Sequence, residues 1–120
     1  MNQKQFSRYL ERDGGCIHCG AVDVAVPHHR LNRGMGGSKQ RDVPSNIVVL
    51  CSYLNGLLES HSMYANRARS YGWKLSAGDD PLSTPVWYPM IGVWAMLDDE
   101  FRANITADVP RSNGTASMYF

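Results

Sequence analysis

V-P-H-H-R-L-N-R-G-M-G-G-S-K-Q-R-D-V-P-S-N-I-V-V-L-C-S-Y-L-N-G-L-L-E, residues 26–59, is the segment around which the rest of the 120-residue chain is organised. Two adjacent histidines, His28 and His29, close a short β-branched run. A glycine-rich basic loop follows over residues 31–45, then Asn46, a second apolar run, and a helix start carrying Asn55 and Glu59. The order is strand, loop, strand, helix. Ligand-type side chains stand at the end of the first strand and on the opening turns of the helix.

Upstream, Val22, Val24 and Val26 alternate, which predicts a half-buried strand over residues 21–27. Pro27 suits a strand end or edge, so this strand is expected to stop as His28 begins. Before it lies C-I-H-C-G, residues 16–20, a tight thiolate turn. Earlier still, Phe6, Tyr9 and Leu10 at helical spacing predict a helix over residues 2–13, ended by Gly14 and Gly15. Downstream, residues 46–51 read as a buried strand and Ser52 as a helix N-cap. One helix is expected over residues 53–71, with Gly72 as its stop. Residues 73–85 read as a linker with an acidic turn, residues 85–97 as an apolar hairpin, and residues 101–120 as a disordered tail.

Composition narrows the class. The chain is 43% hydrophobic and 19% charged, enough for one small domain over residues 1–100. No apolar run approaches the ~20 residues of a membrane span, and the first residues have no apolar signal core. A cytoplasmic protein without a membrane partner is the expectation. Net charge is only +1, but residues 1–75 carry ten Lys and Arg against five Asp and Glu, and residues 76–120 carry two against six. A basic front half suits a phosphate-bearing partner. Arg30, Arg33, Lys39 and Arg41 crowd the glycine loop and are the candidate phosphate contacts. The three cysteines, Cys16, Cys19 and Cys51, disfavour a disulfide framework. They form a candidate structural zinc site that lacks one protein ligand, with water, His18 or His61 as candidates for the fourth position.

Neighbouring strand residues point to opposite faces, so His28 and His29 are expected to approach a site from different sides. Asn55 and Glu59, four apart on a helix, share a face. A helix packed across the two strands would bring His28, Asn55 and Glu59 together as a mixed nitrogen and oxygen donor set. Such a set takes Mg²⁺, Mn²⁺, Ni²⁺ or similar ions and keeps open positions.

These residues resemble the HNH endonucleases, the ββα-metal family. The family pattern is a Cys-x-x-Cys knuckle, a strand ending in Asp-His or His-His, an Asn before the next strand and a ligand on the following helix. Here these are Cys16/Cys19, His28-His29, Asn46 and Asn55. An Asn as helix ligand is similar to the HNH domains of CRISPR effector nucleases. The blocks H-R-L-N-R-G-M-G-G-S, L-C-S-Y-L-N-G-L-L-E and G-W-K-L are similar to small HNH proteins of actinobacterial phages. The resemblance covers residues 16–75. It implies an α+β fold with a ββα-metal core, an N-terminal helix, the knuckle and a C-terminal β-hairpin.

The resemblance also implies a divalent-metal-dependent DNA endonuclease or nickase. His29 would be the general base, and Asn46 would tie the loop that positions it. His28, Asn55 and Glu59 would hold one divalent cation, Mg²⁺ or Mn²⁺ foremost, with Ni²⁺ or Zn²⁺ as further candidates. The compartment would be the host cytoplasm for a phage-encoded chain, and the partners DNA, a phage packaging enzyme or a second copy. Two departures stand out: Leu54 takes the place of a fourth cysteine, and His28 replaces the commoner Asp. They leave room for a rival, a non-catalytic DNA-binding or packaging-associated module on the same fold.

Overall fold

The computed structural model describes residues 1–32 and 41–107. Asn2 opens the first helix: its side chain accepts from the Gln5 amide at 2.8 Å, while Gln5 Oε1 accepts from the Asn2 amide at 3.0 Å. This reciprocal capping box satisfies two otherwise unpaired donors. Helix α1, Gln3–Asp13, ends where Gly14 turns left-handed at φ +77°, a conformation that costs glycine nothing.

Strand β1, Ala25–His29, pairs antiparallel with β2, Ile47–Cys51, with His29 opposite Ile47 and Pro27 opposite Val49. The strand thus starts later than the valine alternation suggested and continues through both histidines. Val22 and Val24 stand exposed in the preceding turn. Pro27 is tolerated mid-strand because its partner asks nothing of it. The Val49 amide donates instead to Asp13 Oδ2 at 3.0 Å, and the Val49 carbonyl accepts from the Ile17 amide at 2.9 Å. Both Val49 polar groups therefore face away from Pro27, so the missing N–H breaks no ladder bond. The same contacts cover the outer edge of β2.

All five β2 residues are buried, as the unbroken apolar run implied. Their alternation divides two cores. Val48 and Leu50 pack with Leu54, Leu58, Tyr71, Trp73, Val86 and Leu97, whereas Ile47 and Val49 pack with Tyr9 of α1. Fully burying a side chain of this kind contributes roughly 1.5–3 kcal/mol.

The single helix expected after β2 is two: α2, Ser52–Ser60, and α3, Ser62–Ser70, separated by an extended His61 at φ −124°, ψ +118°. The flanking serines favour such a break, and the Ser60 hydroxyl turns back to the Gly56 carbonyl at 2.9 Å. The N-cap of α2 is Cys51, one residue earlier than the expected Ser52; its Sγ accepts from the Leu54 amide at 3.4 Å. The presumed linker begins with Trp73, which is fully buried and donates its indole N–H to the Trp87 carbonyl at 2.8 Å. The expected hairpin is present as β3, Val86–Tyr88, and β4, Val93–Leu97. A further strand, β5, Ala103–Thr106, pairs with β4 where a disordered tail was expected. The result is an α+β fold of helices and two small antiparallel sheets.

Candidate functional site

His28 lies on the β1 face that meets α2 and is 2% exposed. Its Nδ1 is 2.9 Å from Asn55 Oδ1 on the first turns of α2, and its Nε2 is 2.7 Å from the Trp73 carbonyl. Burial is the largest influence on the ring and pushes its pKa below the ordinary value; the bonds to Asn55 and Trp73 and the charge of Glu59 pull the other way. A carbonyl can only accept, so a neutral His28 spends its one N–H, at Nε2, on Trp73. The Nδ1 lone pair then faces the Asn55 amide. In that tautomer the Nδ1 lone pair and Asn55 Oδ1 face each other at 2.9 Å. Glu59, one turn further along α2, is more than half exposed, with Oε1 3.9 Å from Lys74 Nζ.

His29, the last residue of β1, faces the other way, as strand alternation requires. Its Nε2 lies 2.5 Å from Asp42 Oδ1. Asp42 was not singled out from the sequence, although it is the one acidic residue between Arg30 and Ser45. The structure therefore joins His28 to Asn55 and His29 to Asp42, on opposite faces of the hairpin.

Asn46 closes the base of the loop. Its Oδ1 accepts from the Leu31 amide at 2.8 Å, and its Nδ2 donates to the Leu31 carbonyl at 3.1 Å and the Arg41 carbonyl at 2.9 Å. One buried amide thereby holds both roots of the loop.

The basic set needs a correction. Arg30 has no exposed surface, and its guanidinium donates to the carbonyls of Gly72, Ser45, Pro81 and Thr84 at 2.6–3.0 Å. It binds protein segments together and is closed to phosphate. Burial lowers its pKa to about 10, which leaves it charged at neutral pH. Arg41 is half-buried and donates to the Asn32 carbonyl at 3.2 Å. Arg33 and Lys39 lie outside the described residues.

The three cysteines do converge. Their sulfurs lie within 4.8 Å of one another and could hold a metal ion. Tetrahedral zinc with bonds of about 2.3 Å sets its sulfurs about 3.8 Å apart, so a small contraction suffices. The amides of Cys19, His18 and Cys51 face Cys16; burial nevertheless pushes that thiol up. The Ala21 amide draws the Cys19 thiol down. His61 is exposed, with its ring edge-on to Tyr64.

No helix among the described residues is long and apolar enough to cross a membrane. Compared with known proteins, the chain matches no family model, no curated protein and no solved structure.

Proposed function

We propose that the chain is a divalent-metal-dependent DNA endonuclease or nickase, with His28 and Asn55 as the ion's protein ligands. The observation that carries this is the 2.9 Å approach of His28 Nδ1 and Asn55 Oδ1, with Nε2 anchored on a backbone carbonyl. Two cis ligands bonded at about 2.1 Å stand about 3.0 Å apart. A metal-binding histidine commonly gives its other N–H to a carbonyl, which fixes the tautomer. Glu59, on the same helix face, is the reserve carboxylate once it leaves Lys74. When bound, the ion supplies Lewis-acid stabilisation of the scissile phosphate and the leaving 3′ oxygen.

His29 is the base in this reading. Asp42 accepts the Nε2–H, which leaves the Nδ1 lone pair to take the proton of the attacking water. The new P–O bond forms as the bond to the 3′ oxygen breaks; the departing 3′ oxygen takes its proton from solvent water, leaving a 5′-phosphate and a 3′-hydroxyl. Asn46 fixes the loop roots beside His29. The substrate class follows from the basic front half and the family resemblance; Arg30 no longer contributes to it. The test is plasmid nicking with Mg²⁺ or Mn²⁺. Wild type should nick, and His29→Ala and Asn55→Ala should lose about 100-fold or more. Equal activity in wild type and His29→Ala would remove the catalytic assignment.

One observation favours the second reading, a non-catalytic DNA-binding or packaging-associated module. His28 and His29 are held on opposite faces by different partners. Salt-dependent DNA affinity that EDTA leaves unchanged, with no cleavage in any divalent ion, would select it.

A further inference from the structure

We infer that the Cys16–Cys19–Cys51 cluster is an open three-thiolate metal site whose fourth position accepts a neutral imidazole donor from outside the chain. The position a fourth cysteine would occupy, three residues after Cys51, is Leu54. Its amide donates to Cys51 Sγ, and the residue is 4% exposed. Beside the sulfurs is a cavity of about 280 Å³ lined by His18, Cys19, Cys51, Tyr53, Leu57 and Tyr64, together with Leu54. Cys19 and Cys51 thus border a cavity, and the described residues place no fourth His, Cys, Asp or Glu ligand atom with the three sulfurs, where a closed structural site would have one.

His18 does not fill the gap in this structure. Its nitrogens lie outside the sulfur cluster, and its ring stands edge-on to Trp73 with centroids 6.2 Å apart. Its own amide faces Cys16, which ties the peptide into the knuckle.

Charge selects the donor class. A divalent ion on three thiolates carries one net negative charge. A fourth thiolate would make two, in a cavity whose described lining includes no Lys or Arg. Burying a second uncompensated charge is costly, whereas a neutral imidazole adds none and suits zinc-like ions. The inference is independent of the His28–Asn55 reading.

The experiment is Co²⁺ substitution of the full chain at one equivalent. Thiolate charge-transfer absorption identifies the cluster, and the visible d–d bands report the fourth ligand. Imidazole should change those bands saturably, half-complete on the order of millimolar. A blocked Gly-His-Gly peptide is the second probe. Response to either supports the open position, and their relative strength separates a free small molecule from a partner's histidine. Leu54→Cys should fill the fourth position and stop responding to imidazole. Should that variant fail to fold, the wild-type titration still decides. Absence of thiolate absorption, or a wild type that ignores imidazole, overturns the inference. A silent wild type beside a responsive His18→Ala would identify His18 as the fourth ligand.

Discussion

Replacing Arg30 with methionine keeps a side chain of similar length and removes every donor that the buried guanidinium supplies. Four carbonyls lose their partner: Gly72 after α3, Ser45 before β2, and Pro81 and Thr84 ahead of β3. Each costs roughly 1–3 kcal/mol if it remains buried and unpaired. Removing the charge returns several kcal/mol of desolvation, so the net loss is roughly 3–5 kcal/mol, a large share of the 5–15 kcal/mol typical of a domain. Arg30→Lys keeps the charge but has three donors and no planar fork, so it should recover only part of the loss. Urea unfolding followed by tryptophan fluorescence reads both variants, since Trp73 reports the same core. The DNA arm of the experiment measures affinity against salt. A lost phosphate contact lowers the slope by about 0.9, and Arg30→Lys, where folded, should leave the slope unchanged. A methionine variant within about 1 kcal/mol of wild type, or a lysine variant of full stability with a reduced slope, would refute the buried-clamp assignment.

Asp42→Asn should lower the nicking rate about 100-fold or more with KM little changed, because the amide no longer fixes the His29 tautomer; an equal rise in KM with an unchanged rate would mark a binding role instead. Burial depresses the His28 pKa, so below about 6.5 the unfolded chain takes up a proton that the native ring refuses. The stability that His28 contributes is therefore complete above that value and falls by up to about 1.4 kcal/mol per pH unit toward the folded pKa. Urea titrations in EDTA should show that component in wild type and lack it in His28→Gln; identical slopes would contradict the neutral buried ring. Gly72→Ala should destabilise by more than about 2 kcal/mol, since Gly72 has φ +75° and a Cβ there would lie 2.0 Å from the Pro85 carbonyl oxygen; an unchanged urea midpoint would mean that turn relaxes freely.

What was legible in the chain was short-range or carried by pattern. The β2 run, the Asn2 and Gly14 ends of α1, and the Val86–Tyr88 and Val93–Leu97 hairpin each follow from neighbours in sequence. The meeting of His28 with Asn55 follows once a helix is laid across two strands. The break at His61 left no trace in periodicity, because Leu54, Leu58, Ala65 and Ala68 remain in phase across it. Pro27 could be placed mid-strand only by knowing that Val49 bonds to Asp13 and Ile17.

The role of Arg30 is hidden from the sequence for a related reason. A cation in a basic loop resembles a phosphate contact, and the carbonyls that claim it come from positions 45, 72, 81 and 84. Its role nevertheless bears on the site. The Arg30 amide bonds the Asn46 carbonyl, its own carbonyl accepts from the Leu75 amide, and its guanidinium holds Gly72 beside Trp73. The Trp73 carbonyl in turn fixes the His28 tautomer. The residue expected to hold DNA from outside is thus the one that sets, from inside, the backbone acceptor that leaves His28 Nδ1 free of a proton and turned toward Asn55.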